Sequence, residues 1–143
     1  MHFKLYTVEE ANKTLDELSG LIRQFNSRRQ DLIHVQVLLE GLRSQPGAHP
    51  DTRLKREIAE KEAELTAFRR EMQAIHKRVE EKGILVRDYE RGQVDFPAVV
   101  ERQSAYLCWH LGEENVQYWH GPDDGFAGRK PLGNLSRGGE VSQ

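Results

Sequence analysis

Ile58, Leu65, Met72 and Val79 recur every seven residues, and so do Leu54, Lys61, Phe68 and Ile75. Only Lys61 among these eight is polar. A repeat of this kind keeps one seam of a helix apolar over many turns and commits it to packing against another helix. The upstream segment offers the partner. Val8, Ala11, Leu15, Leu18, Ile22 and Phe25 follow alternating spacings of three and four. After the polar run 26–31 the stripe resumes with shifted phase at Leu32, Val35, Leu39 and Leu42, the pattern of a stutter.

Both helices carry their own stop and start signals. Thr7-Val8-Glu9-Glu10 fits a capping box, with Thr7 as N-cap and Glu10 reaching back to its amide. The first helix is therefore expected over 7–44, roughly 50 Å long at the standard rise per residue. The Pro/Gly-containing run 44–50 breaks it. The second is expected over 51–82, helped by the pairs Asp51–Lys55 and Glu57–Lys61 and closed by a cationic Lys82 and a Gly83 cap. Two such helices on a short connection form an antiparallel, coiled-coil-like hairpin.

Beyond Gly83 the period shortens. Ile84–Tyr89 is β-branched and aromatic, Glu90–Gln93 is a turn, and Val94-Asp95-Phe96 returns as a short strand ended by Pro97. Tyr106–Leu111 and Val116–Trp119 read as two more strands around the turn 112–115. The expected fold is α+β: a long two-helix hairpin followed by a small antiparallel sheet of three to four short strands. Residues 1–132 are expected to form one domain (83–132 the β-unit), and the Gly/Ser-rich tail 133–143 to be disordered.

Composition narrows the function classes. Hydrophobic residues make up 37% of the chain and charged residues 31%, lean for one compact core and suited to long solvated helices. The charge is balanced, 21 basic against 23 acidic residues, and within 51–82 nine basic face eight acidic. No stretch is basic enough to follow a phosphate backbone, which speaks against nucleic acid as a partner. No apolar run reaches the ~18 residues of a membrane span. The N-terminal residues lack a signal-peptide apolar stretch, and a lone cysteine forms no internal disulfide. The expectation is a cytoplasmic protein without a membrane partner. Leu21, Ile33, Val37 and Leu38 lie off the main seam of the first helix and need another cover. A second copy of the chain, giving a homodimer, supplies it; so does docking of the C-terminal unit.

The chemistry-bearing residues gather in YLCWHLGEENVQYWHGPDDGFAGRKPL, 106–132. On a strand, Cys108 and His110 share one face, with Leu107, Trp109 and Leu111 on the other. Whether His120 joins them depends on the register of the hairpin. If Gly112 pairs with Val116, Cys108 faces His120; a one-residue slip sends His120 to the opposite face. Thiolate and imidazole together suit zinc or iron, the only cofactors the residues suggest, but neither CxxC nor HExxH is present. No metal is therefore favoured, and if one is present its ligands are Cys108, His110 and His120, with Glu113 or Asp124 as a further donor. A lone cysteine in an apolar strand otherwise reads as a small buried hydrophobe. Trp109, Tyr118, Trp119 and Phe126 read first as packing and second as an aromatic pocket. The loop 121–129 can bring amides and Arg129 to an anion. Alternatively Phe126 plugs the core while Arg129 pairs with Asp95, Glu113 or Asp124.

The start KLYTVEEANKTLDEL, the segment VDFP and the block from Tyr106 to Leu132 together resemble an uncharacterised bacterial family, domain of unknown function 2203. The resemblance spans residues 3–132 and rests on a specific CW…GE…WH…GF-GR pattern. It implies kinship without a mechanism, and points to Cys108, Trp109, Gly112, Glu113, Trp119, His120, Gly125, Phe126, Gly128 and Arg129. The resemblance implies that a lysine or arginine is usual where this chain has His110, which demotes His110 as a ligand. The turn at Glu101-Arg102-Gln103 also departs from the glycine-containing turn the resemblance implies.

Two functional readings follow. The first is a non-enzymatic interaction, scaffold or ligand-binding module that takes a protein partner or a small anion, with Glu113, His120, Asp124 and Arg129 as contacts. The alternative is a small metal-binding protein or enzyme centred on Cys108, Glu113, His120 and Arg129. There Glu113 or His120 handles protons, Cys108 ligates or attacks, and Arg129 holds an anion. No catalytic residue is singled out by the sequence.

Overall fold

The structure, a computed structural model, describes residues 4–45, 51–134 and 141–142. Two helices come first, α1 (Val8–Arg43) and α2 (Thr52–Glu81), within two residues of the expected bounds. The capping box forms as read: the Glu10 amide donates to Thr7 Oγ1 at 3.1 Å, and the Thr7 amide donates to Glu10 Oε1 at 3.1 Å. Asp51 caps α2, its Oδ1 accepting the Leu54 amide at 2.8 Å. Gly83 ends α2 with φ +76°, its amide bonded to Glu80 O at 2.9 Å. That conformation is nearly free for glycine and strained for other residues. The Pro/Gly break at 46–50 lies outside the described residues.

A six-stranded antiparallel sheet follows: β1 (Leu85–Asp88), β2 (Gln93–Val100), β3 (Gln103–His110), β4 (Tyr118–His120), β5 (Lys130–Pro131) and β6 (Val141–Ser142). Five strands run in sequence order, β1 to β5, and β6 pairs with β2. The sequence had suggested three to four. The strands beyond those expected are the two-residue β5 and β6, and β2 is longer than expected because it does not stop at Pro97. Proline tolerates a strand when its missing N–H faces an unpaired edge. Here the Pro97 carbonyl on that edge accepts the Tyr6 amide at 2.7 Å, so no ladder bond is forfeited. Of the tail expected to be disordered, 135–140 and 143 lie outside the described residues, while Val141 and Ser142 pair with Val100 and Val99.

The chain divides into two compact units, through both of which α1 and α2 run. One comprises residues 1–23 and 77–143. Its core joins Ala11, Leu15, Leu18 and Ile22 of α1 and Val79 of α2 to one sheet face, Val94, Phe96, Ala98, Leu107 and Trp109. Tyr6 locks this unit: its ring meets Phe96 edge-on at 5.1 Å and its hydroxyl donates to the Lys82 carbonyl at 2.5 Å.

The other unit comprises 24–76, where Val35, Leu39 and Leu65 are buried with Leu32, Ile58 and Phe68 packed against them. Lys61, the one polar residue on the seam, pairs with Glu64 at 3.4 Å. Of the surplus apolar residues, Leu21 is buried, whereas Ile33, Val37 and Leu38 stay 46%, 63% and 42% exposed. Among the described residues no helix is long and apolar enough to cross a membrane.

Candidate functional site

Strand alternation gives the sheet two faces, and the second is the unusual one. Val94, Phe96 and Ala98 point to the hydrophobic core, so Gln93, Asp95 and Pro97 point the other way. Asp95 pairs across with Cys108, and Pro97 with Tyr106. On the far side of β3, Cys108 pairs with Tyr118 and Tyr106 with His120. This register is neither of the two considered from sequence. It lies two residues from the first, and a shift of two keeps every side chain on its face. His120 therefore shares a face with Cys108, as a diagonal rather than a direct neighbour.

Asp95 and His120 are 3% and 2% exposed, and among the described residues they alone are classed as both buried and polar or charged. They bind each other, His120 Nε2 lying 2.9 Å from Asp95 Oδ1. The other ring nitrogen, Nδ1, lies 2.7 Å from the Gly121 carbonyl. A carbonyl only accepts, so Nδ1 carries a proton. The Nε2–Oδ1 hydrogen bond then needs a second proton, carried by one of its two atoms. Asp95 Oδ2 accepts from Arg87 Nε at 2.8 Å, and that bond raises the affinity of the guanidinium for its proton. Arg87 also stacks over the Tyr106 ring at 5.2 Å while its side chain remains 49% exposed.

Cys108 is buried beside this pair. Burial first, then the charge of Asp95, pushes its thiol up to about 12, against the opposing pull of Arg129. A thiol so placed is protonated at neutral pH and, unaided, is no nucleophile. The sequence reading of a buried cysteine fits this environment. The Asp95 carboxylate, the Cys108 sulfur and a His120 nitrogen offer one ligand atom each, all within 4.8 Å of one another.

The remaining candidates assemble a different structure. Arg129 Nη1 lies 3.2 and 3.0 Å from the two Glu113 oxygens, and its guanidinium sits over the Tyr118 and Phe126 rings at 4.0 and 4.3 Å. Glu113 Oε1 also accepts the His110 amide at 2.9 Å, and the Glu113 carbonyl accepts from Trp109 Nε1 at 3.0 Å. This clip seats the loop 121–129 on the sheet. His110 belongs to it: its Nε2 lies 3.5 Å from Glu113 Oε2 and its ring 5.8 Å from Phe126. Thus Cys108 and His120 come together but His110 does not join them. It lies two residues along the strand from Cys108, about 7 Å away at the usual rise, past the end of β4. Asp124 folds its carboxylate back onto the Gly121 amide at 3.0 Å.

A cleft of about 410 Å³ opens above the buried pair, lined by Arg87, Gln93, Asp95, His120, Asp123 and Phe126 together with Pro122 and Gly125. Of the four ligand contacts expected from sequence, only His120 lines it. Asp95 and Arg87 were missed as site residues. Asp95 left one trace: an acid within the apolar run Val94–Val100, on the face opposite the apolar alternation. Arg87 left none, since it sits at a register shift between Val86 and Asp88 that the sequence does not announce.

A family model described as an uncharacterized conserved protein (DUF2203) matches residues 4–132. No curated protein and no solved structure matches the chain significantly.

Proposed function

The chain belongs to the DUF2203 family of uncharacterized conserved proteins, and from its own side chains we propose that it is a ligand-binding module centred on the cleft above Asp95 and His120. One observation carries this reading: a buried, hydrogen-bonded acid–imidazole pair forms part of the wall of a solvent-accessible cleft. Burying such a pair costs several kcal/mol per ion and is often no more stabilising than apolar residues of the same volume. Folding alone gives little reason to keep it. A concave site with a few convergent polar groups is where ligands bind.

The lining sets the ligand class. Asp95 takes the Nε donor of Arg87 and Tyr106 also hydrogen-bonds it, and a guanidinium has five donors. With Gln93 beside it, Arg87 suits a small molecule bearing a carboxylate or phosphate, while Phe126 offers an apolar face. Backbone NMR with citrate and inorganic phosphate tests this. Shifts centred on Arg87, Gln93, His120 and Phe126, abolished by Arg87→Ala, are expected. Shifts scattered over the helices, or unaffected by that substitution, would refute it.

A second proposal rests on Ile33, Val37 and Leu38, three large apolar side chains left exposed on α1. We propose that a second copy of the chain covers them. Sedimentation should show a dimer that Val37→Glu converts to monomer. A wild-type monomer at high micromolar concentration would exclude it.

A further inference from the structure

We infer that Asp95, Cys108 and His120 form a binding centre for one divalent transition-metal ion of the zinc class, at the floor of the proposed ligand cleft. The inference deepens the ligand-binding reading by naming an ion that the same site holds.

Geometry comes first. Zinc binds sulfur at about 2.3 Å and nitrogen or oxygen at about 2.0–2.2 Å, so neighbouring donors in a tetrahedral site lie roughly 3.3–3.8 Å apart. The three donors here already lie within 4.8 Å of one another, with His120 and Asp95 at 2.9 Å. Admitting an ion asks donor separations to change by up to about 1.5 Å, divided between two side chains, without a change of strand register. They come from three different strands, β2, β3 and β4, whose ladder fixes their relative placement.

Orientation agrees. A metal-bound histidine typically donates its other ring N–H to a carbonyl or carboxylate, which fixes the tautomer and aims the lone pair. His120 Nδ1 on the Gly121 carbonyl is that arrangement, and it aims Nε2 at Asp95. Arg87 holds Asp95 Oδ2, leaving Oδ1 as the donor toward His120.

Chemistry selects the ion. One thiolate, one imidazole and one carboxylate favour zinc or a neighbouring first-row ion over magnesium or calcium, which prefer oxygen alone. Binding balances: the ion forms bonds to Sγ, Nε2 and Oδ1 while two protons leave to solvent. One comes from the thiol and the other is the proton of the Nε2–Oδ1 hydrogen bond. Charge is conserved, the divalent ion replacing two protons. Three protein donors leave a fourth position for water or a small anion from the cleft, as in zinc sites that act on bound ligands.

The test uses the full chain purified without a histidine tag, stripped with a chelator and titrated with zinc and, separately, with cobalt(II). One zinc per chain is expected, along with a near-ultraviolet thiolate-to-cobalt charge-transfer band. Cys108→Ser should abolish the band. His120→Gln and Asp95→Asn should weaken binding at least as much as the ten- to hundredfold typical of losing an outer-shell partner. His110→Gln should change neither stoichiometry nor band. Wild-type uptake far below one equivalent at tens of micromolar zinc would overturn the proposal whatever the variants do. So would uptake that survives Cys108→Ser unchanged. Citrate and phosphate titrations of the stripped protein test the cleft separately. Zinc uptake without anion binding leaves the metal centre standing and removes the anion reading; anion binding without zinc uptake does the reverse.

Discussion

His120 Nε2 meets Asp95 Oδ1 at 2.9 Å across 25 residues of sequence, with both side chains at most 5% exposed. The two reach each other because β3 lies between their strands, and the diagonal offset set by Tyr106↔His120 and Asp95↔Cys108 brings their tips together. The site is thus a product of register, not of sequence proximity.

Removing one member of this pair should be worse than removing both. In the metal-free protein, Asp95→Ala leaves a buried imidazole group without its carboxylate and is expected to cost about 3–5 kcal/mol. The double variant Asp95→Val, His120→Leu should recover most of that loss. Urea denaturation of the singles and the double gives the coupling directly. A single variant within about 1 kcal/mol of wild type would mean the pair is not the buried unit described.

The Cys108 thiol gives a pH signature in the metal-free protein. Its folded value, about 12, lies above the ~8.5 of an unfolded cysteine. Folding therefore favours the protonated form. The stability this contributes is complete below the unfolded value and is lost as pH rises toward 12. The urea midpoint of wild type should fall more steeply between about pH 9 and 12 than that of Cys108→Ala. At pH 8 iodoacetamide should label Cys108 in urea but not in buffer; equal labelling rates would contradict its burial.

The β2–β3 turn carries removable strain. Glu101 and Arg102 have φ of +53° and +66°, both in the left-handed region. Val100 pairs with Gln103, making this a two-residue hairpin of the kind that favours Asn-Gly. The substitutions Glu101→Asn and Arg102→Gly together should stabilise the protein by about 1–2 kcal/mol, since a left-handed non-glycine residue costs roughly 1–2 kcal/mol and asparagine relieves only part of that. A lower thermal midpoint would show that these side chains hold contacts worth more than the strain.

Arg129 should not tolerate lysine. Its planar guanidinium binds Glu113 and sits over both the Tyr118 and Phe126 rings, which an ammonium cannot reproduce. Arg129→Lys is expected to cost about 1–2 kcal/mol and to shift the Phe126 ring resonances. Unchanged ring resonances would mean the clip does not seat the loop.

Much of the fold was legible because local signals agreed. The heptad seam of α2, the Thr7–Glu10 box and the Gly83 cap fix both helices to within two residues. The sheet was legible in kind but not in extent, because Pro97 reads as a strand end until Tyr6 is seen to supply the edge contact. The site was half legible. Cys108 and His120 stood out by residue type, and parity alone kept them on one face. Asp95 was one of three acids offered to Arg129, with Glu113 and Asp124; Arg129 takes Glu113, 16 residues away across the sheet-to-loop clip, which leaves Asp95 for His120 and Arg87. The long connection 111–117 specifies no register, so no local motif could place His120 beside Asp95 rather than Cys108.

The most direct measurement is anomalous X-ray diffraction at the zinc edge from crystals of the tag-free, zinc-equilibrated chain. A single strong peak about 2.0–2.3 Å from Asp95 Oδ1, Cys108 Sγ and His120 Nε2 is the predicted result. Fully ordered Asp95 and His120 bonded to each other with no peak between them, or a peak only at a surface histidine, would contradict it.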